Sequence, residues 1–174
     1  MEIFCTEDTA VLIEAGLLFG LNHSDYYLIE FPFDADPDWM GDRLEEVLDL
    51  GKTPLIAHPE RYFCIQDYPM IVFEWLQMGC RTQANKGSFL GWFGRHAGRT
   101  VHVLAEHDLI TCVASDAHSS YTRTTYMDDL RRYLTDELGQ EKTRRLLEEN
   151  PDRILKNRKI ALHGRPAGPT KRYF

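Results

Sequence analysis

Five side chains able to hold a divalent cation stand at or beside the ends of short apolar runs: Glu2, Glu30, His58, Asp116 and His118. Carboxylate oxygen is a hard ligand and imidazole a borderline one, so a cluster of the two suits manganese, iron or zinc. Taken singly, each has a plainer reading. A strand glutamate is usually a rim residue, a histidine before proline caps a loop, and Asp116-Ala117-His118 serves helix capping as readily as ligation. Their co-occurrence favours the metal. Glu30 inside YYLIEF is also costly to bury unless a cation meets it. Two arginines could face such a centre: Arg61 lies three residues beyond His58 and Arg123 five beyond His118. A planar guanidinium binds phosphate through two parallel hydrogen bonds.

Ligands from distant parts of a chain meet when parallel strands end side by side, since chemistry in such sheets gathers at the carboxyl ends. The sequence supplies this pattern, with short apolar runs alternating with longer amphipathic ones. Strands are expected over Glu2 to Cys5, Tyr26 to Phe31, 53–57, Arg81 to Ala84 (running into Asn85) and 111–115. Helices are expected from a Thr6 cap to Ala15, over 38–50, Met70 to Met78, Arg95 to His107, Met127 to Leu138 and Glu141 to Glu149. A last turn starts at Asn150, with Pro151 suited to a helix's first position. Gly16, Gly51 and Gly79 stand where helices stop. Trp39, Leu44, Val47 and Leu48 form the apolar stripe of the second helix.

At 174 residues the chain is sized for one domain with its own core. Apolar residues at 43% and charged residues at 27% are ordinary for a folded protein. A net charge of −7 argues against gripping nucleic acid through a basic field. No apolar run is long enough to cross a membrane, and the start has no signal-peptide pattern, so a cytoplasmic protein without membrane insertion is expected. Cys5, Cys64, Cys80 and Cys112 form no C-x-x-C pair and read as free thiols. The residues six beyond them are Val11, Met70, Lys86 and His118, so no C-x5-R nucleophile loop exists. His23, His96, His102, His107 and His163 read as surface or packing residues, and KNRK at 156–159 as a solvated helix end.

HPERY, QANKGSFLGWFG and ASDAH, with LIEFPF before them, resemble the PHP (polymerase and histidinol phosphatase) superfamily and, more narrowly, its bacterial CpsB/CapC-type manganese-dependent protein-tyrosine phosphatases. The resemblance runs from Glu2 to Ile160. It implies an α/β fold, an incomplete (β/α) PHP-type barrel of parallel strands lacking its first βα units, because the family's opening His-x-His strand is not found. Residues 1–160 would be the partial phosphatase domain and 161–174 a disordered tail.

By the same resemblance Glu2 bridges two metals, Glu30 and His58 bind one of those, Asp116 and His118 lie nearer the others, and Arg61 and Arg123 contact phosphate. The intervals Glu2 to Glu30 and Glu30 to His58, 28 residues each, accommodate one βα unit per ligand. The implied activity is hydrolysis of phosphotyrosine by water activated on two or three ions, manganese first and other divalent metals second. The implied partner is a bacterial tyrosine kinase with a tyrosine-rich tail, in capsule or exopolysaccharide synthesis, and self-association of the chain is expected. Tyr62, Phe63, Trp92 and Phe93 are candidates to floor a phenyl pocket. Alternatives are another PHP phosphoesterase, acting on a small molecule or nucleic acid, and an inactive remnant that only binds a partner.

Overall fold

The structure is a computed structural model that describes residues 1–117 and 125–164. Five strands, β1 (Glu2–Phe4), β2 (Tyr26–Glu30), β3 (Thr53–Ala57), β4 (Arg81–Asn85) and β5 (Cys112–Ala114), form one sheet in chain order. Every neighbouring pair is parallel. The register sets Phe4 beside Glu30 and Ala57 beside Gln83, so the carboxyl ends of the strands lie along one edge. All-parallel pairing requires a crossover after each strand, and the amphipathic runs supply it. These are α1 (Thr9–Glu14), α2 (Pro37–Asp49), α3 (Phe63–Asp67) with α4 (Ile71–Met78), and α5 (Lys86–Phe89) with α6 (Gly94–Glu106).

Strand side chains alternate between two cores, as the period of two demands. Ile3, Tyr27, Ile29, Ile56, Ala84 and Val113 face the helices and join Met40, Leu44, Val47, Val101 and Leu104. Tyr26, Leu55 and Cys112 point the other way and pack on Ile154 and Ile160. This second core covers the face of the sheet opposite the first. The Tyr26 hydroxyl donates to the Arg158 carbonyl at 2.8 Å, and the Arg81 guanidinium to the Ile160 carbonyl at 2.7 Å. Beyond Ile160, residues 161–164 have no regular structure.

The strand and long-helix expectations hold to within one or two residues, and the local chemistry corrects several ends. The first helix begins at Thr9, not after Thr6, whose amide instead takes the Thr9 hydroxyl as acceptor at 2.8 Å. The cap of α2 is Asp36, which accepts from the amides of Asp38 and Trp39. Along that helix Met40, Leu44 and Val47 are buried, while Trp39 and Leu48 are only partly so.

The last two expected helices are continuous. After α7 (Asp128–Leu138), α8 (Gln140–Arg144) runs through a π-helical stretch, Arg145–Glu149, into α9 (Asn150–Leu155). Proline has no amide for the usual i→i−4 bond, and a π bulge just before Pro151 lets the helix pass without stopping. The Asn150 side chain donates to the Thr111 carbonyl at 2.7 Å and fixes the bulge against the sheet.

Candidate active site

Three of the five candidate ligands converge. Glu2 starts β1, Glu30 ends β2 and His58 follows β3. His58 Nε2 lies 3.2 Å from a Glu30 carboxylate oxygen and 3.7 Å from one of Glu2. One ligand atom from each residue lies within 4.8 Å of the other two. Donors about 2.0–2.2 Å from a shared ion stand at most about 4.4 Å apart, so a small closure would seat a cation among them. Two carboxylates at this separation repel unless a positive charge lies between them. The imidazole is buried and the carboxylates are about a quarter exposed, which leaves the pocket open on the carboxylate side. This donor set fits a divalent ion.

Asp116 stands on the same edge, two residues beyond β5, where its carboxylate accepts from the Asn85 side-chain amide at 2.7 Å. His58 and Asp116 both have left-handed backbone, with φ of 32° and 47°. Such conformations cost about 1–3 kcal/mol in non-glycine residues and collect at functional sites. His118 and Arg123 lie outside the described residues.

The loop HPERY holds the triad together. Tyr62 is fully buried, and its hydroxyl accepts from the Phe31 amide at 3.1 Å while donating to the Ala57 carbonyl at 2.8 Å. One phenol thus ties the residue after Glu30 to the residue before His58. Tyr62 therefore floors no open pocket, contrary to expectation. Phe63 and Trp92 are about half exposed, and Phe93 stacks on Arg61.

Glu60 is also fully buried, and one of its oxygens accepts from the Asn85 amide at 2.9 Å and the Ser88 hydroxyl at 2.6 Å. Burial pushes its carboxyl up to about 7, opposed by these hydrogen bonds and by Arg61. Glu60 joins HPERY to QANKGS. Lys86, buried as well, pairs with Asp129 at 2.7 Å and donates to the Tyr126 carbonyl, so it anchors the start of α7.

The Arg61 guanidinium lies between the rings of Phe33 and Phe93, at 4.5 and 4.4 Å from their centroids. Phe33 also packs on His58, with ring centroids 5.9 Å apart. Burial pushes the Cys5 thiol up to about 11 and those of Cys80 and Cys112 to about 12. Cys64 is raised as well, again through burial. None of the four is a thiolate nucleophile near neutral pH.

The structure brings Glu2, Glu30 and His58 together and sets Asp116 on the same edge, while the contacts of Glu60, Tyr62, Phe33 and Lys86 were not expected from the sequence. The signal for Glu60 was its place between His58 and Arg61 in HPERY, which is silent about burial.

A parallel α/β sheet with carboxylates and an imidazole gathered at its strand ends defines a class of metal-assisted hydrolytic centres. The comparisons narrow it. Residues 1–156 match the model of the family described as "Capsular polysaccharide synthesis, CpsB/CapC", and the chain belongs to that family. It is 36% identical over 155 residues to the tyrosine-protein phosphatase YwqE of Bacillus subtilis, covering 89% of this chain and 60% of that protein. It is 33% identical over 164 residues to the tyrosine-protein phosphatase CpsB of Streptococcus pneumoniae, covering 91% of this chain and 68% of that one. Crystal structures of these two proteins, described as unique metal-dependent tyrosine phosphatases, include a chain that superposes with a TM-score of 0.87 at 33% identity. That match covers 99% of this chain and 68% of the solved one. The chain thus spans 60–68% of the length of these relatives.

Proposed function

We propose that this chain hydrolyses phosphotyrosine on proteins with the aid of divalent cations, manganese first among them. The observation that carries the reading is the Glu2–Glu30–His58 cluster with Arg61 one ring away. The relatives' tyrosine-phosphatase activity supports it. We assign Glu2, Glu30, His58, Asp116 and His118 to the cations, and Arg61 and Arg123 to the phosphate. Five parallel strands in chain order support a place within a PHP-type barrel, with residues 1–160 as its catalytic part and 161–174 as a tail. We further assign the chain to the cytoplasm. A tyrosine kinase of capsule or exopolysaccharide synthesis is its substrate in this reading, and self-association remains part of it.

Bound cations supply charge to the phosphate oxygens and acidity to a water. The protein's own groups do the rest. Glu2 and Glu30 present carboxylate oxygens toward one point, and the buried His58 adds an imidazole nitrogen held by its strand end. Arg61 directs paired N–H groups at the equatorial oxygens, where charge grows in the transition state. A phenolate leaving group has a conjugate pKa of about 10, so it demands less protonation than an alkoxide. The raised thiols support direct attack by water over a phosphocysteine.

The test is turnover by the manganese-loaded chain of phosphotyrosine peptides, set against histidinol phosphate and single-stranded DNA. Preference for the peptides is expected. Preference for either competitor would replace the substrate class, and no turnover of any would return the chain to a binding role.

A further inference from the structure

The QANKGS…WF segment is left without a task by the metal cluster, yet it is the most closely specified loop near it. Phe93 lies against Gly87. A Cβ added there would sit 2.5 Å from Phe93 Cε2, 2.9 Å from Cζ and 3.1 Å from Trp92 Cε3. Glycine is needed at 87 for the ring to settle where it does. Gly87 is itself held, its amide donating to the Asn85 side chain at 2.8 Å and its carbonyl accepting from the Trp92 amide at 2.8 Å.

On the opposite side Phe33 is fixed by a 2.8 Å bond from the Phe63 amide to its carbonyl and by ring contacts to Tyr62 and His58. Arg61 lies between the two rings. Among the described residues no carboxylate comes within ion-pair distance of its guanidinium.

A guanidinium held over two aromatic rings, 4.5 and 4.4 Å from their centroids, is left with the N–H donors of its edge to interact with an anion. Rings at this spacing attract the cation and remove its rotational freedom. We propose that Phe33 and Phe93, the latter seated on Gly87, form an aromatic bracket that positions the N–H edge of Arg61 for a phosphate beside the triad. They are positioning residues that act through Arg61. The inference rests on the phosphatase reading for the identity of the anion. It does not rest on it for the bracket itself.

Two measurements on the chain test it. In a nitrogen-15 spectrum with magnesium present, the Arg61 Hε resonance is expected upfield of a free arginine's position, because it lies over ring faces. It should move toward the free position in Phe93→Leu and Phe33→Leu and stay in Phe93→Tyr. By calorimetry with manganese, Phe93→Leu should weaken inorganic phosphate binding about tenfold, the worth of a partly desolvated cation–π contact. Phe93→Tyr should restore it.

In an Arg61→Ala background Phe93→Leu should change nothing further, whereas a merely structural ring would still cost affinity there. Leucine fills the space without a π face, so the melting temperature should hardly move. A free-position Hε in the wild type, or an equal loss with and without Arg61, overturns the bracket. Turnover of phosphotyrosine with Phe93→Leu unaffected would remove the bracket and leave the phosphatase. Phosphate binding through the bracket without turnover would do the reverse, and no phosphate binding at all would overturn both.

Discussion

At the level of single residues, groups proposed to meet phosphate differ from groups that hold others in place, and substitution should separate them. Arg61→Lys keeps the charge and loses the planar fork and the stacking, so kcat/KM on a phosphotyrosine peptide should fall roughly ten- to a hundredfold while the melting temperature stays put. Unchanged turnover would remove Arg61 from the site. Tyr62→Phe should behave oppositely. It leaves the Phe31 amide and the Ala57 carbonyl without their shared partner inside the core. A loss of about 1–3 kcal/mol is expected in urea unfolding. Glu60→Ala should be at least as costly, since it strands the Asn85 amide and the Ser88 hydroxyl. Glu60→Gln, which retains one acceptor oxygen, should be milder. The candidate ligands Glu30, His58 and Asp116 were legible in the sequence because each stands at or just beyond the end of an apolar strand, and Glu2 because it opens one. Tyr62, Glu60 and Phe33 were not, because their roles are contacts between loops that no periodicity encodes.

The elements were legible to the extent that burial repeats along them. β3 has the expected bounds, and α4 ends at Gly79, where φ is 126°. The short helices α3 and α5 were invisible, since five and four residues are too few to show a period. Yet α5 matters most to the site. Asn85 caps it, Lys86 reaches α7, Gly87 seats Phe93 and Ser88 meets Glu60. Gly87→Ala separates fold from function at this level. The new methyl meets the far edge of a ring that can swing away, so the protein should stay folded with a small fall in melting temperature. Phe93 would leave Arg61, and phosphate affinity should drop about as far as in Phe93→Leu. Wild-type affinity in Gly87→Ala would show that the ring's seat is immaterial.

Across the whole molecule, one face of the sheet is covered by apolar packing of Ile154 and Ile160, and the carboxyl ends of its first strands gather acids and an imidazole. The parallel architecture was legible because helical and strand runs alternate, and the strand order followed from simple succession. The apolar packing on the second face was not, because it joins Tyr26 and Leu55 to Ile154 and Ile160, far along the chain. A chain of net charge −7 that concentrates carboxylates at one edge stores repulsion there. A divalent cation should relieve it and bind the folded state in preference to the unfolded one. Manganese at about a hundred times its dissociation constant should then add about 2.7 kcal/mol of stability, read as a rise in melting temperature that a chelator reverses. Glu30→Gln and His58→Ala should each diminish that rise, whereas Glu45→Gln, an exposed residue of α2 outside the triad, should leave it intact. This measurement needs no substrate and no turnover. If the wild-type melting temperature is indifferent to manganese, zinc and iron alike, the three converging side chains are an ion-paired strand edge, and the metal-centred reading is wrong.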